Sequence, residues 1–329
     1  MPGRSCPADY AYAEGALAGA EDGDADVVYA AGNVYGNTEA LKAIHHLVEH
    51  ERGTVKLVFA GDFHWFDIAE DAFAEIADGV AAFDSIAGNV ERELVRDNSN
   101  AGCGCAYPPY VNQAVVERSN EIMHRLHATA SGFQSHRRWL AARPAFRALC
   151  MAGERVLLLH GDTCSLAGWH FAAEKMPDTV APASMQAEIP TSRAWIENEF
   201  LRTNARVIAC SHTCLPIARR FDVNGDRCLL INNGAAGMPN FRGRLHGVMT
   251  RVAVGTAVPP GSLYGVQIGP LRCDAVAVDY DHDAWWACFR KQWQPDSPAY
   301  RSYANRIRHG ADYTISQAYG SAETEAHVA

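Results

Sequence analysis

Polar residues fall directly after short apolar runs, each beside a small residue, at Gly32-Asn33, Gly61-Asp62, Gly88-Asn89, His160-Gly161 and Ser211-His212. Brought together, Asp62, Asn89, His160 and His212 offer a carboxylate, an amide oxygen and two imidazoles. That donor set suits a divalent metal such as Mn, Zn, Fe or Ni better than Ca or Mg. Such an ion polarises a phosphoryl oxygen and lowers the pKa of bound water from about 16 to roughly 7. Taken singly, each residue has a plainer role: Asp62 as a helix cap, Asn89 in a turn, His160 and His212 as hydrogen-bonded core histidines. The recurrence at successive strand ends favours a site.

The elements that must position these residues read as strands alternating with helices. "VVYAA", "VKLVFA" and "DSIAG" are apolar runs separated by the amphipathic stretches "TEALKAIHHLVEH" and "AEDAFAEIADGVAAF", the alternation of an α/β fold. "RVLLLH" and "RVIACS" read as further buried strands. Between them, "TSRAWIENEFLRT" opens on hydroxyl caps and carries a helical stripe through Ala194, Ile196, Phe200 and Leu201. In open α/β sheets the carboxyl ends of strands gather at one edge, so residues distant in sequence converge there. Asn224-Gly225, between two alternating runs, predicts a tight hairpin, and "GVMTRVAV", "SLYGVQI" and "CDAVAVDY" continue in strands. The aromatics of "AWWACFRKQW" have helical spacing and are expected to cover the core.

A single domain is expected over residues 26–312, with tails at 1–25 and 313–329 that fray. Insertions at 92–131 and 162–190 interrupt the alternation, and insertions on such frameworks shape substrate pockets. The chain has 329 residues, 48% hydrophobic and 20% charged, with a formal net charge of -9. That balance argues against a nucleic-acid partner, which draws on clustered Lys and Arg. The N-terminus lacks the basic start and apolar segment of a signal peptide and no apolar run is long enough to span a bilayer, so a cytoplasmic protein without membrane contact is expected. The ten cysteines are scattered through strands, which predicts packed thiols rather than structural disulfides.

From Val27 to Tyr280 the order and local sequence resemble the calcineurin-like metallophosphoesterases, in particular their small bacterial phosphodiesterase branch. The family's D-x-H, G-D, G-N-H-[DE], strand-terminal His and G-H-x-H motifs correspond to "GNVYGN", "AGDFHWFD", "AGNVERE", "LLLHGD" and "CSHTCLP", and "INNGAAGMP" stands at its N-P-G-S-like turn. The resemblance implies a four-layer α-β-β-α sandwich, two mixed sheets face to face with helices outside, and a dinuclear metal centre at the strand ends. It also assigns Asp62, Asn89, His160 and His212 to one metal.

The other metal position is altered, because Asn33, Tyr35 and Cys214 stand where the family has Asp, His and His. A neutral amide cannot offset dication charge as Asp does, and a Tyr35 phenolate or Cys214 thiolate suits only a strongly acidic metal. One metal per chain is therefore expected rather than two. Val90 replaces the family's proton-donating histidine, a loss that typically removes a factor of about 10² to 10⁴ in rate. His64 or His170 could substitute from nearby. Cys103 and Cys105 of "CGC", with Cys164 and Cys214, could line a pocket with thiols, or serve as small packed residues around a glycine turn. The leading expectation is a hydrolase acting on a small phosphomonoester or phosphodiester, with Asp62, His160 and His212 as its catalytic centre. The alternative is a pseudoenzyme that binds a phosphorylated ligand or partner without turnover, and a third reading is a repurposed redox or metal-binding protein using Tyr35 and Cys214.

Overall fold

The structure, a computed structural model, describes residues 1–97, 101–177 and 189–320. Strand β1 (Val27–Ala31) leads into helix α1 (Thr38–Glu49), then β2 (Val55–Ala60), α2 (Glu70–Ala81), β3 (Asp84–Ile86) and α3 (Asn89–Leu94). Two helices follow, α4 (Gln113–Ala130) and α5 (Gln134–Ala141), before β4 (Phe146–Met151), β5 (Glu154–Leu159), α6 (Arg193–Thr203) and β6 (Val207–Cys210). The chain continues through β7 (Pro216–Val223), β8 (Asp226–Asn233), β9 (Gly247–Val254), β10 (Ser262–Ile268) and β11 (Leu271–Val278), and finishes with α7 (His282–Gln292), α8 (Pro298–His309) and α9 (Ile315–Tyr319).

Among the described residues these strands form two mixed sheets, ordered β10-β11-β9-β1-β2-β3 and β4-β5-β6-β8-β7. The period-two geometry of β1 and β2 explains the layering. Val28, Ala30, Val58 and Ala60 join Leu157, Leu159, Ile208 and Leu230 of the second sheet in one core. Their neighbours Val27, Tyr29, Ala31, Leu57 and Phe59 pack the other way, against Leu41 and Ile44 of α1, Phe73 of α2 and Trp285 and Phe289 of α7. β1, β2 and β3 run parallel, as do β5, β6 and β8. Their carboxyl ends and following loops carry the polar residues singled out above.

Local signals agree with the elements formed. The Asn37 side chain accepts from the Ala40 amide and starts α1, and the Ser192 hydroxyl does the same for α6. Asn224 and Gly225, with φ of 52° and 89°, link β7 to β8 by a two-residue hairpin turn. In α6 the buried face runs through Ile196, Glu199, Phe200 and Thr203, while Leu201 and Ala194 are exposed. Glu199 is buried because it forms an ion pair with Arg202.

The ends differ from the sequence-based expectation. Residues 1–25 pack on the body: the Tyr10 hydroxyl donates to Glu93 of α3 at 2.7 Å, and Leu17 is buried in the inter-sheet core. Alanine and glycine set that segment's composition, yet two large side chains anchor it. Residues 313–320, expected to belong to the C-terminal tail, are ordered against the body, since Tyr313 is buried and Thr314 caps α9; 321–329 lie outside the described residues, as do 98–100 and 178–188 of the two insertions. No helix among the described residues is long and apolar enough to cross a membrane.

Candidate metal centre

Asp62 follows β2, Asn89 opens α3, His160 directly follows β5 and His212 follows β6, and the structure brings all four side chains together. His160 Nε2 lies 3.3 Å from Asp62 Oδ1 and 3.2 Å from both Asn89 Oδ1 and His212 Nδ1. All four residues are buried.

The partners behind each side chain decide which atom faces inward. His160 Nδ1 lies 2.8 Å from the Ala60 carbonyl and His212 Nε2 lies 3.2 Å from the Cys105 carbonyl. A carbonyl only accepts, so each ring carries its N–H on that outer side and turns the other nitrogen inward. The Asn89 amide nitrogen donates to the Cys103 carbonyl at 3.0 Å, which turns Oδ1 inward too. Four acceptors thus converge with no donor of their own between them, an arrangement that needs a cation. Ligand bonds of about 2.1 Å in a tetrahedral site place neighbouring donors about 3.4 Å apart, close to the separations here. The residues fit a divalent metal.

Electrostatics point the same way. Burial alone raises the Asp62 carboxyl, but the His160 imidazole and the Val90 amide outweigh it and hold the group below the usual range, as an anion. Burial, then the neighbouring His160 charge, pushes His212 down to about 4, leaving a neutral imidazole able to ligate. His160 moves up: burial lowers it, and the Asp62 charge more than reverses that.

Glu91, not singled out from the sequence, ties the loops together. Its carboxylate accepts the backbone N–H groups of Asp62, Phe63 and Gly88 at 2.8, 3.1 and 2.8 Å. Burial and then the Asp62 charge raise it to about 7. The signal available in the sequence was a carboxylate three residues after Gly88, the spacing of a capping box. Glu91→Ala would strand three buried donors and is expected to lower stability by about 3 kcal/mol or more. Thermal unfolding beside the exposed control Glu117→Ala checks this, and equal melting points would refute the clamp.

Asn33, Tyr35 and Cys214 also converge, next to the four. Asn33 donates to the Gly234 carbonyl at 2.6 Å, and its buried Oδ1 has no hydrogen-bond partner. The Tyr35 hydroxyl lies 2.7 Å from Cys214 Sγ, and burial raises both groups, so they pair as neutral phenol and thiol. Asn33, Tyr35, Asp62, His212 and Cys214 all have left-handed φ, between 29° and 64°. Such concentration of uncommon backbone geometry is typical of functional loops.

Val90 lines a pocket with Tyr35, Asp62, Asn89, His212 and Cys214. His64 does not reach it: Asp67 holds Nδ1, and the ring stacks on Phe73 at 4.2 Å, against the helical layer. It is fully buried, so it does not serve as a substitute proton donor to the pocket. His170 is likewise elsewhere, 2.6 Å from Asp162 and stacked on Trp195. With Asp162 and the exposed Cys164 it forms a second group of metal-capable side chains.

Both insertions contribute to the pocket. The first supplies Cys105 and Tyr107, the second Trp169, and α8 adds Tyr303; with Tyr35 and Trp65 they make an aromatic wall. None of the described residues lining it is Lys or Arg. The absence of disulfides expected from the sequence is corrected here: Cys103 and Cys105 are paired, with Cα atoms 5.3 Å apart. Gly102, Gly104 and Ala106 have φ of 66°, 68° and 50°, and this left-handed run folds the chain back on itself.

Comparison with solved structures settles the architecture. A metallophosphoesterase from Sphaerobacter thermophilus superposes with a TM-score of 0.51 over 88% of this chain and 100% of its own, at 16% identity. The fold is that of a metallophosphoesterase. A hypothetical protein from Pyrococcus horikoshii OT3 matches at 0.55 over 87% of this chain and 99% of its own, at 12% identity. No protein-family model matches the chain, and no curated protein matches it. Within the metallophosphoesterase fold, the converging donors at the strand ends form a candidate metal site.

Proposed function

We propose that this chain is a metal-dependent phosphoester hydrolase working with one well-held divalent ion, of the Mn, Zn, Fe or Ni class, on a small phosphorylated substrate. The observation that supports the reading is the convergence of four acceptors: Asn89 Oδ1, His160 Nε2 and His212 Nδ1 are turned inward by backbone carbonyls that hold the other polar atom of each side chain, and Asp62 Oδ1, which accepts the Val90 N–H, faces them. A bound dication would polarise a phosphoryl oxygen and make hydroxide available near neutral pH.

The remaining chemistry belongs to the chain. Asp62 supplies the negative charge, and the two neutral imidazoles add donors without further charge. Val90 has no proton to give, so the leaving group departs as an anion or takes its proton from solvent. The aromatic wall excludes water and accepts a flat substituent on the ester. Nucleic acid and membrane play no part in this reading.

The expected outcome is therefore turnover that depends on metal and falls steeply as the leaving group becomes more basic. Aryl phosphomonoesters and phosphodiesters of graded phenol pKa, assayed with each metal in turn, check this. Metal bound without turnover on any ester would instead support a pseudoenzyme that binds a phosphorylated ligand. The Val90 substitution and the closed Tyr35–Cys214 pair favour that second reading.

A further inference from the structure

The loop that orients the metal ligands is itself closed by the Cys103–Cys105 pair. The Cys103 carbonyl receives the Asn89 amide N–H at 3.0 Å. The Cys105 carbonyl receives the Trp169 indole at 2.8 Å and His212 Nε2 at 3.2 Å. Asn89 Nδ2 also lies 3.6 Å from Cys105 Sγ. Two of the four candidate ligands thus depend on this one loop for their orientation.

A bridge between cysteines only two residues apart closes a very short loop, so it removes little chain entropy and does little to hold the whole fold. Its effect is local: the Cys103 carbonyl carbon belongs to the small ring that the sulfurs close, and the ring fixes the direction of that carbonyl. Cys105 lines the pocket while Cys103 is fully buried behind it. A reagent entering the pocket therefore meets the Cys105 sulfur first.

We propose that Cys103 and Cys105 form a thiol–disulfide modification site that sets metal affinity, the closed form holding Asn89 in its ligating posture. The inference rests on the metal-site reading above. The co-reactant is a small dithiol. One of its thiolates attacks Cys105 sulfur, the Cys103–Cys105 bond breaks, and Cys103 leaves as a thiolate that takes a proton. The reagent's second sulfur then displaces Cys105, which also ends as a thiol, and the reagent leaves as its cyclic disulfide. Two electrons and two protons pass to the protein. With the ring open the Cys103 carbonyl can rotate, and Asn89 loses its fixed partner.

Full-length protein is prepared oxidised with glutathione disulfide, or reduced with dithiothreitol and desalted without oxygen, its state read from intact mass. Each is titrated with Mn(II) alone, an ion that the remaining cysteine thiols bind poorly. Reduction is expected to weaken Mn(II) binding by about 10- to 100-fold, the usual effect of losing partners that orient metal ligands, and reoxidation to restore it. The Cys103→Ser/Cys105→Ser double variant should show the weak affinity under both treatments, and Cys6→Ser, at an exposed free cysteine, should respond like the parent. Melting curves of reduced and oxidised parent separate this from unfolding. Equal affinity in both states, or a bridge that never forms by mass, overturns the inference while leaving the metal-site reading intact. Absence of Mn(II) binding in both states overturns both.

Discussion

His160→Ala is expected to abolish stoichiometric metal binding and to reduce metal-dependent phosphoester turnover by far more than the about 10- to 100-fold that changes to ligand-orienting residues produce. His160 Nε2 touches Asp62, Asn89 and His212 at 3.2 to 3.3 Å, so its removal takes away a ligand and the hub of the cluster. It also removes a fully buried side chain from the junction of the two sheets, which weakens the fold. His212→Ala should show the same functional loss, because it too removes a ligand of the cluster. The measurements are metal affinity, turnover and melting point on both variants beside the parent. Unchanged turnover in both would remove the hydrolase reading.

The opposite change is a gain. Asn33→Asp, Tyr35→His and Cys214→His, introduced together, are expected to create a second metal position and raise turnover by on the order of 10²-fold, the scale carried by single charge-stabilising contacts at a transition state. The backbone permits it: Asn33, Tyr35 and Cys214 have φ of 58°, 57° and 64°, and Asp and His are among the residues that enter that region most readily. The lone Asn33 Oδ1 already lies buried without a partner, so a second cation would complete rather than disturb its surroundings. Stability should fall, because Tyr35 packs edge-on against Phe66 at 5.9 Å. Two metals per chain with no increase in rate would mean that the pocket has been turned to another use.

Much of the candidate site was legible because α/β topology does the gathering. Once β1, β2, β3, β5 and β6 were read as strands, Asn33, Asp62, Asn89, His160 and His212 had to approach one edge, whatever their sequence separation. The hairpin at Asn224-Gly225 and the caps at Asn37 and Ser192 were local signals, and local signals survive folding. What stayed hidden depends on side-chain direction across distant loops. Nothing in "GDFHWFD" says that Asp67 and Phe73 draw His64 toward the helices rather than the pocket. The Cys103–Cys105 pairing follows from a left-handed run at Gly102, Gly104 and Ala106 that residue type alone does not impose. Tyr303 reaches the pocket from α8, whose sequence shows an amphipathic pattern and no mark of a site. Tyr10 and Leu17 anchor a segment whose small residues and acids resemble a tail.

Elemental analysis of protein purified without chelator or affinity nickel, run on the parent and on His160→Ala, tests the central claim most directly. One divalent metal per parent chain is expected, with none retained by the variant. A parent chain without metal, or a variant that keeps the same metal content, would contradict it.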